Sequence, residues 1–165
     1  METDRHGQEL VLAVYSTYRG FGFAVFEEPS KPVDWGIKEA TQGKRSEIFD
    51  KFETLLTFYA PATVVLEKGE ASKRGMEAKS RSNEFATVAY KHGSAVHRYS
   101  RSAVQEVFAQ FNARTKYEIA KTICTWLPAL APRMPPYRRP WMSEDYRMGI
   151  FDAIALALTH YYVTT

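Results

Sequence analysis

The run Thr63-Val64-Val65-Leu66 constrains this chain more than any other segment. Four consecutive β-branched or aliphatic residues, with no polar alternation, describe a strand covered on both faces, as in sheets that carry helices above and below. The neighbouring sequence supplies such a helix. From Ser46 the apolar side chains Ile48, Phe49, Phe52, Leu55, Leu56 and Tyr59 recur at spacings of three and four, and Pro61 stops the pattern. Ahead of it, the apolar runs 10–15 and 21–26 flank Ser16-Thr17-Tyr18-Arg19-Gly20, which has the length and composition of a hairpin loop. A third strand is expected over 33–38, after Pro29 and Pro32.

Beyond Glu67 a basic stretch, 68–81, leads into helical sequence around 83–90, and a short strand follows near 95–99. Helices are expected over 103–111 and 115–126, then a proline-rich loop over 132–140. Ser143 offers an N-cap for a last helix reaching about residue 162, with Glu144 and Asp145 in its first turn. Three antiparallel strands followed by alternating helices and strands predict an α/β fold: a mixed five-stranded sheet, with a three-strand meander plus two parallel strands, flanked by helices. The 165 residues fit one domain, 1–165.

Composition narrows the setting. With 45% apolar and 25% charged residues the chain reads as globular, and no apolar run approaches the roughly 20 residues of a membrane span. One cysteine, Cys124, and a polar start that carries Asp4, His6 and Glu9 point to a reducing, cytoplasmic setting. The net charge of +3 permits contact with phosphates without requiring it. His6, His92, His97 and His160 have no metal-ligand spacing.

The segment Gly149-Ile150-Phe151-Asp152-Ala153-Ile154-Ala155-Leu156-Ala157-Leu158 is apolar almost all round, with one carboxylate inside. An unpaired ionised carboxylate is costly there, so Asp152 should face a cation, an arginine or a cleft. At 100° per residue Asp145 shares the stripe of Asp152 and reaches the same cleft, whereas Glu144 points away; alternatively Asp145 serves only the helix dipole. Glu67 ends the buried strand, where α/β sheets commonly place ligands, although a strand-exit glutamate is also often merely solvated. Glu67 and Asp152 together suit a divalent cation held by oxygen ligands, with Asp145 on the stripe that would supply a third acid. Lys68, Lys73, Arg74, Lys79 and Arg81 cluster after Glu67 as a phosphate-attracting patch or a solvated helix face. Tyr137-Arg138-Arg139-Pro140-Trp141 mixes arginines with aromatics, fit either to stack on unpaired bases or to anchor a loop.

Four stretches resemble the RuvC-type Holliday junction resolvases of the ribonuclease H-like superfamily, over most of the chain from Leu10 to Tyr161. They are Leu12-Ala13-Val14-Tyr15 with Arg19 and Gly22-Phe23-Ala24-Val25; Val65-Leu66-Glu67; 99–128 with Ala113-Arg114-Thr115-Lys116; and Asp152-Ala153-Ile154-Ala155-Leu156-Ala157-Leu158-Thr159-His160. The resemblance implies a ribonuclease H-like fold, branched DNA as partner, a homodimer, and metal-dependent hydrolysis of phosphodiesters by four acids and a lysine. Glu67 and Asp152 match two of the acids, and Lys116 matches the lysine near the scissile phosphate. The first family aspartate falls on Tyr15 and the penultimate acid on Gly149. Two dications about 4 Å apart need several carboxylates to hold them together, and a phenol is a poor magnesium ligand near neutral pH. A nucleic-acid-binding protein for branched or distorted DNA, with weakened or lost nuclease chemistry, is therefore expected. The alternatives are an active magnesium- or manganese-dependent endonuclease with a rebuilt acidic site, and a non-catalytic assembly subunit that keeps only the fold.

Overall fold

A computed structural model describes the backbone of residues 9–69 and 73–165, and the side chains of 9–69 and 80–165. Five strands form one sheet in the order β3-β2-β1-β4-β5: β1 (Val11–Ser16), β2 (Gly20–Glu28), β3 (Lys31–Glu39), β4 (Thr63–Glu67) and β5 (Ala95–Tyr99). β1 is central, antiparallel to β2 and parallel to β4, and β5 continues parallel to β4. The meander and the two parallel strands are thus those expected from the sequence.

Side-chain alternation along β1 divides the interior in two. Leu12 and Val14 face a cluster rich in phenylalanine, where Phe21, Phe49 and Phe52 pack on Phe85 with ring centroids 4.7 to 5.6 Å apart. Helices α1 (Arg45–Tyr59) and α2 (Lys73–Lys91) cover this side. Val11 and Ala13 face the opposite cluster, built with α3 (Arg101–Ala109), α4 (Lys116–Trp126) and α5 (Met148–Thr164). Three helix boundaries have a local cause in capping. α1 ends at Ala60, whose φ of 44° lets its N–H bond back to Leu56 O. α3 begins at Ser100, whose hydroxyl accepts from Ala103 N. Thr115 and Glu118 form a reciprocal capping box at the start of α4.

Two boundaries differ from those read off the sequence. α2 begins at Lys73, so the basic stretch that was expected to lead into a helix is largely helical itself. α5 begins at Met148 rather than after Ser143. Asp145 accepts from Arg147 N and, bidentately, from the Arg147 guanidinium, three contacts of 2.9 Å that favour a turn over a helical first turn. The helix then opens through tight i→i−3 bonds, Met148 N to Asp145 O and Gly149 N to Tyr146 O. Among the described residues no helix is long and apolar enough to cross a membrane.

Candidate functional site

Strand parity and register bring the site together. Tyr15 lies on the same face of β1 as Val11 and Ala13, and Glu67 on the same face of β4 as Val65, so both point toward α5. Val14 pairs with Leu66 in the parallel ladder, which sets Tyr15 and Glu67 side by side as the two strands end. Asp152, in the second turn of α5, and Lys116, at the first position of α4, complete the group; all four line one small cavity with Arg101. Ser82 Oγ holds the Glu67 carbonyl at 2.9 Å and so fixes the end of β4 on α2.

Lys116 is the centre of this arrangement. Its Nζ lies 3.3 Å from Asp152 Oδ2, 3.1 Å from Glu144 Oε1 and 3.3 Å from the Tyr15 hydroxyl, and 5.1 Å from the Tyr15 ring centroid. An ammonium has three N–H donors, and three oxygens surround this one. Its side chain is 23% exposed and that of Asp152 10%, so the pair is largely removed from water. Burial disfavours the charged ammonium, yet the carboxylates of Asp152 and Glu144 hold its pKa above the ordinary lysine value. One ammonium does not balance two carboxylates. Burial, helped by the charge of Glu144 and opposed by Lys116, lifts Asp152 to about 7. Tyr15 is raised to about 12, first by burial and then by Asp152, and is a neutral phenol.

The residues present do not fit a pair of divalent ions. Among the described residues no three His, Cys, Asp or Glu side chains converge as a metal-binding group. Tyr15 contributes a neutral hydroxyl. Gly149 faces a backbone approach so close that a Cβ on Gly22 would stand 2.2 Å from the Gly149 carbonyl oxygen, and one on Gly149 would stand 3.0 Å from Thr17 Cγ2. That position is packing space for β2 and the β1–β2 loop. Asp145, expected on the stripe of Asp152, instead precedes the helix and is engaged by Arg147, which holds its carboxyl below the usual carboxylate range. It still borders the wider cleft beside Asp152. Glu144, expected to point away, reaches Lys116. The stripe argument missed it because it assumed helix from Ser143; an Asp two residues before an Arg was the available sign of a turn.

The wider cleft measures about 650 Å³ and runs from Tyr15 and Asp152 past Thr17, Tyr18 and Arg19 to Glu144 and Tyr146. Tyr18 is 89% exposed, and Tyr146 and Trp141 are also largely exposed. Arg81 donates to the carbonyls of Thr17 (2.6 Å) and Tyr18, so it braces the β1–β2 loop from α2. Lys68 is exposed, and its backbone N–H is tied to Tyr99 O. The side chains of Lys73, Arg74 and Lys79 lie outside the described residues. In the loop before α5, Arg138 bonds the Met142 carbonyl at 3.1 Å and Arg139 stacks on Trp141 at 5.6 Å, both on the surface. His160 bonds the Tyr99 hydroxyl through Nδ1 at 2.8 Å and joins α5 to β5.

No protein-family model matches the sequence, and no curated protein is similar to it. Solved structures are. Thermus thermophilus RuvC in complex with Holliday junction substrate superposes with a TM-score of 0.67 at 17% identity, over 94% of each chain. A second Thermus thermophilus RuvC structure gives 0.65 at 17% identity, over 93% of this chain and 95% of that one. The fold is ribonuclease H-like. At this identity the likeness concerns the fold alone.

Proposed function

We propose that this protein binds nucleic acid of branched or distorted geometry, DNA first of all, and does not cleave it through a metal pair. The observation that carries the reading is the closed acid site: Lys116 lies between Asp152 and Glu144 within 3.3 Å of both. Uncompensated carboxylates would repel a phosphate backbone; here a tethered ammonium reduces that repulsion without a metal. The likeness to a RuvC solved with Holliday junction substrate supports a branched partner. Exposed Tyr18 and Tyr146 beside Arg19 at the cleft offer stacking faces and a cation to an opened junction. Arg138, Arg139 and Trp141 extend such a surface along the preceding loop, and exposed Lys68 adds positive charge at the end of β4. The binding unit is a homodimer, in keeping with the twofold character of a four-way junction.

The test is a gel assay with labelled four-way junction and matched linear duplex, in magnesium and in manganese, for the wild type, Asp152→Asn and the pair Arg138→Ala/Arg139→Ala. The expected result is a junction-selective shift without products, retained in Asp152→Asn and weakened in the arginine pair. Metal-dependent products that disappear in Asp152→Asn would establish a working endonuclease instead. Absence of any shift at low salt would leave an assembly subunit on this fold.

A further inference from the structure

We propose that Lys116 is the resident cation of this site: its ammonium occupies the position a divalent ion would take among Asp152, Glu144 and the Tyr15 hydroxyl, and removing it opens a site for one hard divalent cation. The inference goes beyond nucleic-acid binding and stands or falls without DNA.

The geometry is that of a filled site. Oxygens from three separate segments, β1, α5 and the loop before it, converge on Nζ at 3.1 to 3.3 Å, and the Tyr15 ring lies against the same cation. Hard divalent ions take carboxylate oxygens such as those of Asp152 and Glu144 at shorter distances, so ammonium and metal compete for one place. The Lys116 backbone does not drift, because the Thr115–Glu118 capping box fixes the first turn of α4. A dication entering beside the ammonium would meet a like charge in a poorly solvated setting, with Arg101 lining the same cavity as a further positive charge. Leaving the site would strand Lys116's partners, including an Asp152 side chain only 10% exposed. Once the ammonium is gone, the carboxylates of Asp152 and Glu144 that it bridged are left to a single dication, whose remaining ligands are water. A second ion is still excluded, since Tyr15 and Gly149 supply no further carboxylate.

The experiment uses the full chain at pH 8 without nucleic acid. Free Mn²⁺ is followed by electron paramagnetic resonance, and melting temperature is measured with and without millimolar Mn²⁺, for the wild type, Lys116→Gln and Lys116→Ala. The wild type is expected to show no saturable uptake and a melting shift of less than about 1 °C on adding Mn²⁺. Both variants are expected to melt lower by roughly 10 °C, to take up one Mn²⁺ and to recover several degrees with it. Saturable uptake by the wild type that is lost in Asp152→Asn would overturn the proposal, and that comparison decides it even if the lysine variants fail to fold. Folded Lys116→Gln that takes up no Mn²⁺ would overturn it equally. A missing junction shift, by contrast, would defeat only the nucleic-acid reading.

Discussion

Asp145 and Asp152 stand on the same approach into the last helix, and each carboxylate has a cationic partner. Asp145 finds Arg147 two residues away, in a turn that the local sequence builds by itself, and its carboxyl is held below the usual range. Asp152 finds Lys116 from another helix, under β1, and burial lifts its carboxyl to about 7 despite that partner. The local pair closes the turn just before α5, and the neighbouring Glu144 reaches Lys116. The distant pair exists only because the sheet, α4 and α5 assemble around it, and it brings charge into a place where charge is costly. A carboxylate–cation pair built by the fold against the hydrophobic effect marks a functional site better than one built by its own turn.

The comparison breaks first at Lys116. Replacing it by methionine leaves Asp152 buried without its ion-pair partner, and a loss of about 3–5 kcal/mol in urea unfolding is expected at pH 8, with a smaller loss at pH 5, where Asp152 takes a proton. Equal losses at both pH values would mean that the lysine acts through packing alone. Asp152→Asn comes next and moves the other way. Native Asp152 keeps its proton up to about 7, whereas the unfolded chain releases it near 3.8. Between those values the native state binds more protons, so this group's contribution is full below about pH 4 and is lost as pH rises toward 7. The amide introduced by Asp152→Asn does not titrate and carries no such dependence. The variant should match the wild type near pH 4 and exceed it at pH 8 by up to about 4 kcal/mol. Paired pH series of urea melts check this; a variant weaker than wild type at pH 8 would show that the ion pair outweighs the burial of its charge.

The sheet was legible because its signals are local. The β-branched run of β4 and the apolar runs of β1 and β2 lie close to the strands observed, and the α1 stripe matches the buried Ile48, Phe49, Phe52, Leu55 and Leu56. The first half of α2 was missed because its polar, basic sequence shows no apolar period. For the site, pattern and resemblance named Tyr15, Glu67, Lys116 and Asp152, and these four line one cavity. What they could not disclose depends on tertiary approach: Glu144 meeting Lys116, Asp145 drawn aside by Arg147, and Gly149 meeting Gly22. A glycine in an apolar helix reads as a lost side chain until the neighbouring strand is in place.

Gly149 lies between the two carboxylates along the chain, and it sharpens the contrast between them. Gly149→Asp restores the penultimate acid that the resemblance implies, but its Cβ would press on Thr17 Cγ2 at 3.0 Å and Ile37 Cδ1 at 3.2 Å. Overpacking on that scale costs about 1–3 kcal/mol. The variant should therefore melt lower by urea, with a displaced β1–β2 loop read as altered amide shifts at Thr17 and Tyr18. If instead it folds at wild-type stability, that wall is soft and the missing acid has no packing cause. Asp145→Asn is expected to be the mildest change. An amide oxygen still accepts from Arg147 N, so the turn survives and only a partly exposed ion pair is lost, at a cost near the error of a urea melt. The informative readout is then Glu144. If Asp145→Asn leaves stability unchanged yet abolishes the Lys116–Glu144 contact, the local pair acts as the support of the distant one, and the two carboxylates belong to one device rather than two.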